Sequence, residues 1–480
     1  MKDSRSRISI FIENLFESKR NQYLFFTLIS CLIFLYSHSI GMFWDNVLFS
    51  SQIGNHLYNN DLFNWLLPDI LDAGHPPALG FMLAILWKVI GHKLWVSHLL
   101  MIPFTIGLLY QLFQFVNYFT KSYLHSLFAF LLIIIDPTLA TQLLLVNPEI
   151  IQVFLFFLAI NSILYKRYKL KVIALFFLSI ISLRSMMLCG GVFIFEIINS
   201  AYINKTKGTI LNKKLILSYV IGSLPALSYL GIHYISKGWL VTHSNSPWSN
   251  NHQFISLEGF IKNCIVLIHR YADFGRFIIY ILIVFCFIKF RKIIFDKKTK
   301  QLLVLSFSSV IIVIIISLLS TNSFGHRYFI TSFISLNLLS YILLLKFFRK
   351  KIMTYGIVFI ILFSGNFWIY PKEIAQGWDA TLAHLPYHKL RIDAISYLDS
   401  NKINIEKVGT FFPNSTTLDN ISLNGDLRSF EVYTGKNEYV LFSNVFNLNE
   451  DEYVELDNNY SIIQQFNSKG IYILIYKLKK

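Results

Sequence analysis

The chain has 480 residues, 54% of them hydrophobic and 15% charged, with a formal net charge of +16 at pH 7. A mean hydropathy of +0.52 excludes an ordinary soluble domain, which needs more polar surface to stay dispersed, and makes the bilayer the main solvent. The basic excess forms no single stripe but recurs as short clusters between apolar runs, so no nucleic-acid partner is expected.

In chain order, the stretch MKDSRSRISIFIENLFESKRNQ is basic, and the run after it lacks an A-x-A-like cleavage site. It reads as a retained cytoplasmic segment followed by a first span, not as a signal peptide. Apolar runs of spanning or near-spanning length occur at about 22–43, 95–119, 123–143, 149–165, 171–184, 185–203, 215–236, 272–290, 301–320, 327–346 and 353–371. A further run, PALGFMLAILWKVIGHKLW at 77–95, is interrupted by Lys88, His92 and Lys93 and suits either a span or a juxtamembrane helix. Charge decides between them. With 77–95 kept out of the span count and the N-terminus cytoplasmic, the basic clusters at 166–171, 205–214, 289–300 and 346–351 all fall on the cytoplasmic side. Counting it as a span would move them outside, against the positive-inside rule.

The expected architecture is a polytopic α-helical protein of the cytoplasmic (inner) membrane with about 11 spans. Its membrane domain covers 1–371 and includes an outward juxtamembrane loop over 43–94. From 372 the chain turns polar and rich in Asn, Asp and Tyr. There HKLRIDAISYLDS has helical spacing, while KVGTFFP, YVLFSNVFN and YSIIQQFNSKGIYILIYKLK read as strands, the last a hairpin turning at Asn467-Ser468-Lys469-Gly470. A small α/β extracytoplasmic domain over 372–480 is expected. The cysteines, Cys31, Cys189, Cys264 and Cys286, show neither a disulfide framework nor metal-ligand spacing.

On this topology acids, histidines and arginines gather on the outward face from distant segments. They are Asp45 in GMFWDNVLF, His75 before Pro76-Pro77, Asp136 and Glu149 in DPTLATQLLLVNPEII, Arg184, and His326 and Arg327 in TNSFGHRYF. A carboxylate can take the proton of an attacking hydroxyl, and guanidinium groups can hold a phosphate and stabilise the charge left on it. Each residue also has a plainer reading. Asp45 suits an interface position, Glu149 the first turn of a helix after Pro148, Asp136 a helix cap, and His75 a prolyl-fixed helix start. Arg184 and Arg327 suit snorkelling anchors, and Lys88 a solvated helix face. The outward loop 237–271 carries Trp239, His243, Trp248 and His252, which suit a mobile lid over substrate or interface aromatics.

The order of a basic tail, one span, Trp44-Asp45, His75-Pro76-Pro77 opening an apolar stretch, and then D-P-T-L-A-T-Q…N-P-E resembles the C-type (GT-C) membrane glycosyltransferases. The likeness is to the protein O-mannosyltransferase and aminoarabinose-transferase branch in particular. The resemblance implies a polyprenyl-phosphate-linked sugar donor and an acceptor hydroxyl on a glycan, lipid or protein. It implies Asp45 as catalytic base and Glu149 as the second acid, orienting the acceptor or Asp45. Arg327 and Arg184 would serve the lipid phosphate, with His75, Asp136 and His326 lining the substrate site. It calls for no cofactor and is compatible with a divalent metal. The chain departs from the family in having Asn46 where Glu is common, Glu149 for Asp, and Leu143-Leu144-Leu145 where an Arg is often found. The alternative function is a transporter or flippase of a lipid-linked or polar solute, which should set polar groups and broken helices near mid-bilayer in repeated halves.

Overall fold

The computed structural model describes residues 7–204, 212–245, 249, 253–291, 295–321 and 324–479. Trp248 and His252, and the start of the 205–214 basic cluster, lie outside the described residues.

Helices dominate up to residue 364. A short α1 (Arg7–Glu17) folds back on α2 (Lys19–Ser37), and buried Phe16 stacks on Phe113 at 4.7 Å. After a loop and a π turn (Val47–Gln52) come α3 (Ile53–Asn59), α4 (Ala78–Ile90), α5 (Leu94–Thr120), α6 (Tyr123–Ile134), α7 (Pro137–Gln142), α8 (Pro148–Leu164), α9 (Tyr168–Ser179) and α10 (Leu183–Ile198). The remainder are α11 (Lys213–Lys237), α12 (Leu257–Ala272), α13 (Phe277–Phe290), α14 (Lys297–Ser308), α15 (Ile311–Leu319), α16 (Ile330–Phe347) and α17 (Lys351–Ser364).

Among the described residues, five helical stretches are long and apolar enough to cross a membrane, six if the pair α12 and α13 counts as one. The expected count of eleven is not established by this measure, because several apolar runs fold as helices of 10–17 residues. The run at 123–143 shows why: Asp136-Pro137 ends α6 and starts α7, since proline cannot continue the ladder. Helix α4, with 13 residues, is about 20 Å long, short of the ~30 Å hydrocarbon core. Close backbone approach ties it to α3: a Cβ on Gly80 would sit 2.5 Å from Ile53 Cγ2.

The segment expected as an open loop over 237–271 is half helix. Ser256 caps α12 by accepting from Gly259 N at 3.2 Å. Leu257, Ile261, Ile265 and Ile268 form an exposed apolar stripe at helical spacing. A 94° bend at Asp273–Arg276 separates it from α13.

The small C-terminal domain is built on α18 (Pro386–Ser400), α19 (Leu418–Ser422), α20 (Glu450–Asn459) and strands β1 (Val408–Thr410), β2 (Glu431–Val432), β3 (Tyr439–Ser443), β4 (Tyr460–Ser468) and β5 (Ile471–Leu478). The sheet order is β2-β1-β3-β5-β4. The two pairs involving β1 are parallel, and β3–β5 and β4–β5 are antiparallel. The expected hairpin turns on Lys469 (φ 49°) and Gly470 (φ 84°), a two-residue connection matched to strand twist. This domain's core is not confined to the C-terminal residues. It also takes in Ile40, Phe43, Leu144 and Leu145, so the sheet domain closes over the loop that carries Asp45 and the turn that precedes Glu149.

Candidate active site

The loop after α2 is bolted from two sides. His98 Nε2 on α5 donates to Ile40 O at 2.8 Å, and Met42 N donates to Ile421 O at 2.9 Å. Phe43, fully buried, stacks on His384 at 4.4 Å with 12° between the rings. Trp44 is left-handed at φ 50° and meets Phe412 edge-on. Beyond Asp45, Gln52 donates to Thr416 Oγ1 at 2.9 Å and Asn55 to Asn420 Oδ1 at 2.7 Å. The small domain therefore fixes the position of the Asp45 loop.

Arg327, in a 3-10 turn (His326–Phe329) that leads into α16, is the hub. Its Nη2 donates to Asp45 Oδ2 and its Nη1 to Asp379 Oδ2, while its Nε lies 3.1 Å from Glu149 Oε1. Glu149 sits in the first turn of α8 after Pro148, where Asn147 caps the helix by accepting from Ile150 N at 3.0 Å. The acid favours that end of the dipole, but it also accepts from Arg184 Nη1 at 2.9 Å. Arg184 is held by a Ser182–Ser185 capping box at the start of α10, and its guanidinium lies over the Tyr328 ring at 4.0 Å. Asp379 comes from the turn after α17, and Gln142 Nε2 donates to its carbonyl at 2.8 Å. Burial raises the Asp379 carboxyl above its ordinary value; Arg327 pulls it back and Asp45 and Glu149 push it further up.

Four expected residues, Asp45, Glu149, Arg184 and Arg327, thus form one ionic cluster. All sit at helix ends, so the cluster lies at one end of the bundle rather than midway along it. His75 is a neighbour: its Nδ1 accepts from Leu183 N at 3.2 Å, one residue before Arg184. Its loop is clamped to α11, where Tyr229 OH donates to His75 O at 3.0 Å and His233 Nε2 lies 3.0 Å from fully buried Asp72.

Asp136 and His326 lie in an adjoining buried network. Asp136 caps α7 by accepting from Thr138 N at 3.1 Å and also takes Arg276 Nε and Nη2, each at 2.8 Å. His326 Nε2 donates to Asp273 Oδ2 at 2.7 Å, and Tyr370 OH donates to Asp273 Oδ1. This network holds the turn that presents Arg327. One arginine beside it stands apart. Arg270, at the end of α12, has Nε and Nη1 buried with no hydrogen-bond partner among the described residues, and it faces the charges of Asp273 and Asp379.

Sequence reasoning passed over Asp379, Asp273, Arg276, Tyr370 and Arg270. A usable signal was present for the first: Trp378-Asp379 repeats the dipeptide Trp44-Asp45, and both aspartates bind Arg327. The three carboxylates converge, but Arg327 fills the point between them. Among the described residues no group of three or more His, Cys, Asp or Glu is disposed to hold a metal.

This combination of short helices, helix bundle and small sheet domain is an ArnT-like fold. The chain aligns over 95% of its length with 98% of ArnT from Cupriavidus metallidurans bound to undecaprenyl phosphate, with a TM-score of 0.53 and 9% identity. The same protein in its apo state aligns over 94% of this chain and 97% of that one, with a TM-score of 0.50 and 10% identity. At that identity the likeness is one of fold. No family model matches the chain, and no curated protein does.

Proposed function

We propose that the chain is a membrane glycosyltransferase that moves a sugar from a polyprenyl-phosphate donor to an acceptor hydroxyl on a glycan, lipid or protein. The cluster would face the extracytoplasmic side of the cytoplasmic membrane, with residues 372–480 as an outer domain. The distribution of basic loops supports that orientation.

The observation that carries the reading is the way Asp45 is held. Arg327 engages Oδ2 only, so Oδ1 remains to accept a proton. In the proposed reaction Asp45 takes the acceptor's hydroxyl proton and the oxygen attacks the anomeric carbon. The bond from that carbon to the phosphate oxygen breaks, and polyprenyl phosphate leaves with the electron pair.

The sequence suggested Arg327 for that phosphate. The geometry favours a different division of labour. Arg327 is already surrounded by three carboxylates, so an added anion would find its charge compensated. It suits the role of orienting Asp45. Arg270 has the complementary property of a desolvated guanidinium with unpaired donors, which an incoming phosphate would satisfy. Glu149 and Arg184 then set the far wall of the site, and Asp136 and His326 act through the turn that carries Arg327. The test is to supply membranes with labelled polyprenyl-phosphate sugar and compare the wild type with Asp45→Asn. Loss of transfer with retained folding supports the reading, and equal transfer removes Asp45 from the mechanism.

A further inference from the structure

One groove in the molecule lies away from the ionic cluster. It has a volume of about 850 Å³ and runs between α2, α6, α17 and the small domain, lined by Leu32, Ile134, Leu144, Phe363, Phe367 and Leu382 among others. It backs onto the cluster without sharing its charged side chains. Leu143 and Leu144 line the groove, whereas Gln142, just before them, turns the other way to bond Asp379 O. The membrane half of the lining is strongly exposed, Leu32 by 57% and Phe367 by 58%.

Two features separate this groove from an ordinary lipid-facing surface. Its upper wall belongs to the small domain, so it is a cleft between two parts of the fold rather than a bundle flank. Its charged lining residues are two lysines, Lys389 on α18 and Lys469 at the β4–β5 turn. Neither has an acidic partner among the described residues. Lys469 is held beside the end of α17 by its own turn: the next residue, Gly470, lies so close to Ile369, beyond α17, that a Cβ there would meet Ile369 Cδ1 at 2.6 Å.

Apolar walls below and two unpaired ammonium groups above are complementary to one class of molecule, an acyl chain carrying a single anionic head. We propose that this groove binds one anionic glycerophospholipid, its phosphate between Lys389 and Lys469 and one acyl chain along Leu32, Phe363 and Phe367. The lipid would span the seam between helix bundle and small domain. The site is independent of the glycosyltransferase reading, and its test needs no sugar transfer.

The test is native mass spectrometry of the full chain in detergent, titrated with dioleoylphosphatidylglycerol or with dioleoylphosphatidylcholine, which has the same chains and no net charge. One phosphatidylglycerol should be retained preferentially. Since a basic residue at a membrane surface contributes about fivefold to anionic-lipid affinity, K389E/K469E should weaken that one binding event by about 25-fold or more. The control K402E/K407E makes the same charge change on exposed lysines of the same domain outside the groove and should leave binding unchanged. Equal retention of the two lipids, undiminished phosphatidylglycerol binding by K389E/K469E, or equal loss in the control would each overturn the proposal.

Discussion

Asp45 and Asp379, from opposite ends of the chain, accept from the two terminal nitrogens of a single guanidinium, that of Arg327. The arginine joins the first loop of the membrane bundle to the segment leading into the small domain. Glu149 approaches the remaining nitrogen at 3.1 Å. A buried cation with three acidic neighbours is costly to remove, because the acids are then left facing one another.

Arg327→Gln should therefore destabilise the fold by about 3–5 kcal/mol, the range for breaking a buried ion pair on one side. Arg327→Lys should rescue little of that loss, since an ammonium cannot present the planar fork that serves Asp45 and Asp379 together. Thermal unfolding in detergent would measure both.

Asp45→Asn is nearly isosteric and keeps an acceptor toward Arg327. It should leave the melting temperature nearly unchanged while sugar transfer falls by about 10²-fold or more, the usual worth of a positioned base. A parallel fall in stability would mean that Asp45 serves the fold instead.

Arg270→Gln should act in the opposite sense to Arg327→Gln. The arginine buries two unpartnered nitrogens, so its removal should cost no stability or add about 1 kcal/mol. Donor KM should rise about tenfold or more through the loss of a charge-assisted contact to phosphate. Steady-state kinetics with varied donor would separate this from a loss in kcat.

Acid should loosen the small domain. Burial lowers His384 to about 4 and holds His388 well below its usual range. A histidine whose folded pKa is depressed stabilises the fold above its unfolded value near 6.5, and that stability is lost as pH falls toward the folded value. At pH 5 the His384 contribution lost is about 2 kcal/mol. His384→Phe keeps a ring against Phe43 and removes the titration, so its melting temperature should fall less between pH 7 and pH 5 than that of the wild type.

Gly365 closes the bend between α12 and α13 against α17: a Cβ there would sit 2.0 Å from Phe274 O. Gly365→Ala should destabilise by about 2–3 kcal/mol through backbone displacement, again read by thermal unfolding.

Much of this fold was legible in the sequence, for different reasons in different places. Alternation and a Lys-Gly turn gave the C-terminal hairpin, and a Pro-led apolar run gave α8. Charge distribution separated the short α4 from its longer neighbours. Helix α12 is not legible as a helix because its apolar stripe is interleaved with Glu258, Lys262, Asn263 and Arg270, which dilute any window average. Of the site, the residues carried by span ends could be gathered by topology alone. Asp379 could not, because it lies beyond the last apolar run, in a stretch whose composition signals only a polar domain. Arg270 and Arg276 were visible as charges, but which of them is paired depends on packing: Arg276 meets Asp136 and Arg270 meets no acceptor at two of its nitrogens.

The grip of the small domain on the Asp45 loop sets an order of events in biosynthesis. Asp379, Ile421, Thr416 and Asn420 all follow the membrane helices in the chain, yet they hold residues that left the ribosome hundreds of positions earlier. Until they arrive, Arg327 lacks one of its acids and the first loop lacks its anchors in the small domain, keeping only the one from His98. A fully inserted bundle is thus still without a complete ionic cluster, and it acquires one only when residues 379–421 have been made and have docked.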